Sequence, residues 1–154
     1  MSYQLWMLAH LLGVVVWVGG MFFAHMALRP AAAETLEPPQ RLPLLAAALG
    51  RFFNWVAVAI AVILVSGVAI MLLMKGAGGR LGWHIHVMIA IGLLMMAIFG
   101  HIRFAGFMRL RRAVAARDWP AGGAALGQVR RLVGVNLLLG LATTALVFIG
   151  RGLA

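Results

Sequence analysis

Residues 52–74 read FFNWVAVAIAVILVSGVAIMLLM, twenty-three positions without an acid, a base or a proline. As a helix rising 1.5 Å per residue the stretch is about 34 Å long, enough to cross a hydrocarbon layer of about 30 Å. A soluble core offers such a segment nowhere to hide on all sides. Working outward, three more stretches have the same character. One runs from about Gln4 to Leu28 and is ended by Arg29-Pro30, the next from Gly82 to Ile102, and the last from Leu132 to Ile149. The expected fold is an all-α integral membrane protein, a single four-transmembrane-helix up-down bundle with spans at about 4–28, 52–74, 82–102 and 132–149. Lys75 and the Gly76–Gly79 turn close the second span. Pro43 suits the first residue of its helix, which begins outside the apolar layer. Arg103–Arg117 continues the third helix as a basic amphipathic arm, and Trp119-Pro120 with Gly122-Gly123 is expected to break it.

The whole chain agrees. Of 154 residues, 64% are hydrophobic and 10% charged, with a mean hydropathy of +1.04, against about 25% charged in a soluble domain. That excludes a soluble enzyme, a disordered chain and a nucleic-acid-binding domain, although the net charge is +10. With no cysteine, thiol redox chemistry, iron–sulfur clusters and cysteine zinc sites are excluded. Glu34, Glu37 and Asp118 are the only acids, and none lies in a span. The first segment lacks the basic start and the short apolar core of a cleavable signal.

Charge sets the orientation. Arg29, Arg41, Arg51, Arg103, Arg109, Arg111, Arg112, Arg117, Arg130 and Arg131 follow the first and third spans, whereas the other face holds Lys75, Arg80 and Arg151. The positive-inside rule puts the arginine-rich face in the cytoplasm and both termini outside the cytoplasmic (inner) membrane. The arginines also suit anionic lipid headgroups, with an orientation signal as the plainer reading.

Ionisable groups inside a membrane mark function by default, and the spans hold five histidines. His10 on the first span and His84 and His86 on the third lie near the outer surface; His25 and His101 lie near the inner ends. His10 to His25 is fifteen residues, as is His86 to His101. Imidazoles at two matched depths on two diagonal helices suit axial ligation of haem b, one group per level. The outer pair is then His10 with His86, or with His84, and the inner pair His25 with His101. Gly13, Gly19, Gly20, Gly67, Gly92, Gly100 and Gly140 offer room for a porphyrin. Arg29, Arg51 and Arg103 face the inner propionates, and Lys75 and Arg80 the outer ones. Read this way the protein is a b-type cytochrome with one or two haems, passing electrons between membrane quinol and another acceptor. A homo-oligomer or an electron-transfer partner is compatible with the glycine-rich faces.

Copper competes with haem. Met7 is three residues before His10, Met21 four before His25, and Met88 two after His86, and thioethers with imidazoles suit Cu(I). Met71, Met74, Met95 and Met96 read as packing or lipid-facing residues. A copper ladder needs stations between the two histidine levels, where the first span offers Val14–Val18. A third reading is a structural subunit whose histidines are interhelical glue.

Ala9-His10-Leu11-Leu12 through Val16-Trp17-Val18-Gly19-Gly20-Met21 resembles the opening helix of the CopD-type family of small bacterial membrane proteins. Leu28-Arg29-Pro30 and Gly82-Trp83-His84-Ile85-His86 resemble the HemJ-type protoporphyrinogen oxidases. The first resemblance implies copper uptake or resistance. The second implies a four-helix membrane protein holding haem b through His10. Where the HemJ type has a lysine in its third span, this chain reads His86-Val87-Met88-Ile89-Ala90, so haem binding is implied without porphyrinogen oxidation.

Overall fold

The computed structural model describes residues 2–152, and the side chain of Arg151 lies outside the described residues. Four helices account for nearly all of it: α1 Tyr3–Thr35, α2 Pro38–Gly76, α3 Trp83–Ala115 and α4 Trp119–Gly152. Each is long and apolar enough to cross a membrane, and no strand occurs among the described residues. They run up and down. The Leu36-Glu37 and Ala116–Asp118 connections lie at the arginine-rich end, and the Ala77–Gly82 turn lies at the end that carries both termini.

The helices outrun the apolar stretches. Pro30 does not stop α1, which continues to Thr35. A proline within a helix clashes with the carbonyl four residues back, here Met26, and the wide π-helical turn Ala24–Leu28 takes up that strain. α2 starts at Pro38, not Pro43, because Pro38 already has its fixed φ at a position that needs no donor. The basic arm ends at Ala115, ahead of Trp119-Pro120, and Trp119-Pro120 with Gly122-Gly123 make the first turns of α4. Asp118 Oδ1 accepts from Ala121 N at 3.0 Å and caps the helix, and Gly122 is buried where a side chain would meet Leu42.

α2 and α3 end in the same way. Gly79 N donates to Met74 O and Gly78 N to Lys75 O; Asp118 N donates to Ala113 O and Arg117 N to Val114 O. Both are Schellman motifs, which need a left-handed residue after the cap. Gly78 supplies it at φ 76°, and Arg117 does so at φ 54°.

Toward the terminal end α1 packs on α2, and α3 on α4, with little packing between the Tyr3–Val14 and Trp83–His101 segments. The pairs join lower down. Phe53, fully buried on α2, stacks edge-on against Phe99 and Phe107 of α3 at 5.8 and 5.2 Å, and Phe99 meets Trp17 of α1 at 6.3 Å. Around these rings lie Met21, Val56, Met95, Ile102, Val129, Val133 and Leu137. The opposite faces carry exposed Leu, Val and Phe side chains, as a lipid-facing surface requires.

Candidate functional site

His10 is built into the seam between α1 and α2. Its ring lies over Gly67, where a Cβ would come within 3.4 Å of the imidazole. Nδ1 is 3.2 Å from the carbonyl of Ile63 and 3.1 Å from Ser66 Oγ. The hydroxyl of buried Ser66 donates its own proton to Val62 O at 2.5 Å. Both oxygens facing Nδ1 are therefore acceptors, so Nδ1 carries the proton and the lone pair lies on Nε2. A histidine oriented in this way is prepared for a metal. Met7, half-buried one turn earlier, shares its helix face.

His86 has the same tautomer for a different reason. Its Nδ1 donates to Gly82 O at 3.1 Å, within the first turn of α3, and the side chain is exposed. His84 is buried; its Cβ crowds Gly150 of α4, and its Nδ1 has no hydrogen-bond partner among the described residues. His10 thus belongs to the α1–α2 pair, and His84 to the α3–α4 pair.

The inner histidines part company as well. His25 lies against Gly134 of α4, in a small cavity with Arg29, Leu45, Leu49, Val129 and Arg130. His101 is exposed and lines a separate cleft with Gly106, Arg109, Gln128, Arg131 and Leu132. The reason lies in the helices. A π-helical turn, Val15–Gly19, falls between His10 and His25, whereas α3 is regular from Trp83 to His101 and widens only at Ile102–Gly106. Such a turn absorbs one extra residue. At about 100° per residue it rotates everything after it by roughly that amount. Equal spacings in sequence are therefore unequal rotations in space, and α1 and α3 do not keep their histidines opposed at both depths.

The glycines are mostly occupied. Ile63 fills the space at Gly13, Phe52 that at Gly20, His10 that at Gly67, and Val18 with Met95 that at Gly140; space is open at Gly19, Gly92 and Gly100. Met95, which reads as a packing or lipid-facing residue, is buried, and its carbonyl accepts from Asn136 Nδ2 at 3.1 Å. Asn136 Oδ1 is buried with no hydrogen-bond partner among the described residues. Met21 is likewise core, and Met88 is half-buried. Lys75 and Arg80, expected at the outer propionates, are exposed; of the three arginines expected at the inner ones, Arg29 lies beside His25. Arg103 donates to Asn54 Oδ1 at 3.2 Å and lies over the Phe107 ring, and Arg51 is exposed. Arg29, just beyond the apolar stretch, has its pKa lowered by burial and then by the like charges of Arg130 and Arg41.

Among the described residues, no three of His, Cys, Asp and Glu come together as a metal-holding group. Sequence reasoning names every histidine but misses Ser66 as the partner of His10, for which the one signal is a lone hydroxyl in an apolar span.

Set beside known proteins, residues 46–149, about two thirds of the chain, match the family described as CopD, copper resistance protein D. The matched segment includes His84, His86 and His101, and follows His10 and His25. No curated protein and no solved structure matches the chain.

Proposed function

We infer the cargo from the family: this chain belongs to the CopD family of copper resistance proteins, and copper is the ion it handles. It takes Cu(I) at the face carrying the termini, in the cytoplasmic membrane, with the arginine-rich face inside by the positive-inside rule. The observation that carries the reading is the fixed tautomer of His10, which leaves the lone pair of Nε2 unused by either acceptor, on a helix face shared with Met7 in a largely apolar seam. Imidazole and thioether together favour the soft monovalent ion. His86, exposed with its Nε2 free, is the first contact for ions arriving from that side. Met21 and Met95 are the sulfurs in the core at intermediate depth, and His25 is the inner station.

Haem b does not fit the residues as well as copper does. Most of the glycines expected to make room for it are filled by the protein's own side chains. Rings of Trp17, Phe53 and Phe99 occupy the space where α1 faces α3, and His25 and His101 line different cavities.

The test is Cu(I) binding by detergent-purified protein in competition with a chromogenic chelator. Wild type is expected to hold at least one Cu(I), and His10→Ala to weaken that affinity by about 100-fold. Because a ligating imidazole must be deprotonated, affinity is expected to fall as the pH is lowered. Equal affinity in His10→Ala overturns the assignment of His10, and a red preparation with a Soret band overturns copper as the cargo.

A further inference from the structure

Arg130 and Arg131 are neighbours on α4, yet they face two different hollows. Arg130 lines the small cavity of His25 and Arg29 on the α1 side, and Arg131 the cleft of His101 and Arg109 on the α3 side. Two residues about 100° apart on one helix naturally serve two flanks. Each flank therefore presents the same set at the same depth, an imidazole from an odd-numbered helix with a guanidinium from each wall.

The α3–α4 cleft is the roomier, at about 340 Å³. Its floor is Gly106, buried where a side chain would meet Val129 of α4 at 3.0 Å, so the two helices are in close approach there. Its polar groups are His101, Arg109, Gln128 and Arg131, all exposed. Two are permanent cations, and none is an acid. Guanidiniums gathered without a carboxylate are paired only by an anion from outside, and their planar forks match phosphate.

Depth identifies the source. The cleft lies where the apolar runs ending at Ile102 and starting at Leu132 give way to the arginine-rich arm, which is the headgroup layer. Above it on α3, Gly100 has open space beside it, and Leu93, Leu94 and Ala97 are exposed, an apolar track leading away from the cations. We propose that the α3–α4 cleft holds one anionic phospholipid, its phosphate between Arg109 and Arg131 and an acyl chain along the Leu93–Gly100 face of α3. The lipid neutralises the paired arginines and ties the base of α3 to α4.

The experiment is thermal unfolding of the full chain in neutral detergent. The additions are phosphatidylglycerol, phosphatidylcholine or inorganic phosphate, and the proteins are wild type, R109Q/R131Q and the charge-matched control R111Q/R112Q. Arg111 and Arg112 are exposed on the same arm and do not line the cleft. Phosphatidylglycerol is expected to raise the Tm of wild type and control by about 3 °C or more. R109Q/R131Q is expected to lose most of that rise, and R131Q alone, a milder change, part of it. Three results overturn the proposal: an equal rise with phosphatidylcholine, the same rise with phosphate alone, which makes this a free-anion site, or an equal loss in the control, which makes the effect diffuse charge. If R109Q/R131Q does not fold, R131Q decides by the same comparison.

Discussion

Two acceptors decide which nitrogen of His10 is free, and only one of them is a side chain. Ile63 O is held by the backbone of α2, whereas Ser66 Oγ depends on one hydroxyl that is itself anchored to Val62 O. Ser66→Ala therefore removes half of the support and leaves the tautomer intact. Cu(I) affinity is expected to fall about 10-fold, less than for His10→Ala, with helix content by circular dichroism unchanged. A fall as large as that of His10→Ala would show that Ser66 touches the metal itself. The sequence makes His10 conspicuous because an imidazole in an apolar run is costly. Ser66 looks like ordinary back-bonding, which it also performs, and nothing in the sequence says that α1 lies opposite it.

The turns after α2 and α3 are one motif built with two different residues. Gly78 takes the left-handed conformation without strain, while Arg117 takes it at a cost. Arg117→Gly is expected to stabilise the protein by about 1 kcal/mol, read as a rise in Tm in detergent. A fall would mean that the arginine side chain makes an interaction worth more than its strain. The Gly76–Gly79 end is legible in the sequence because glycine announces it, and the Arg117 end is not. The π-helical turns are hidden in the same sense. An apolar pattern at Val15–Gly19 reads the same whether the turn is tight or wide, so the two fifteen-residue spacings look equivalent as written. The four spans are visible in hydropathy alone. The helices run past them because Pro30 and Pro38 sit where their missing donors are tolerated.

At the scale of the molecule, Phe53 is the meeting point. Its ring stacks on Phe99 and Phe107 and neighbours Phe52, and among the described residues it is the largest fully buried side chain. Lipid is as apolar as the core, so burial from water drives little of this association, and close packing carries it. Phe53→Ala is expected to cost about 3 kcal/mol or more, measured by denaturant unfolding in mixed micelles. Phe53→Leu is expected to recover much of that loss. A cost below about 1 kcal/mol would place the joint between the helix pairs elsewhere, at the contacts of α4 with the π-helical turns of α1.

The glycine turn at Gly76–Gly79 has a consequence for biogenesis. It links two helical hairpins whose terminal halves scarcely touch each other, so each hairpin is a unit that a membrane can receive whole, with docking as a later event. The peptide bond between Gly78 and Gly79 should then be dispensable. Fragments 1–78 and 79–154, co-expressed, are expected to co-purify and to bind Cu(I) as the intact chain does. Failure to reassociate would mean that the tether supplies the effective concentration on which docking depends.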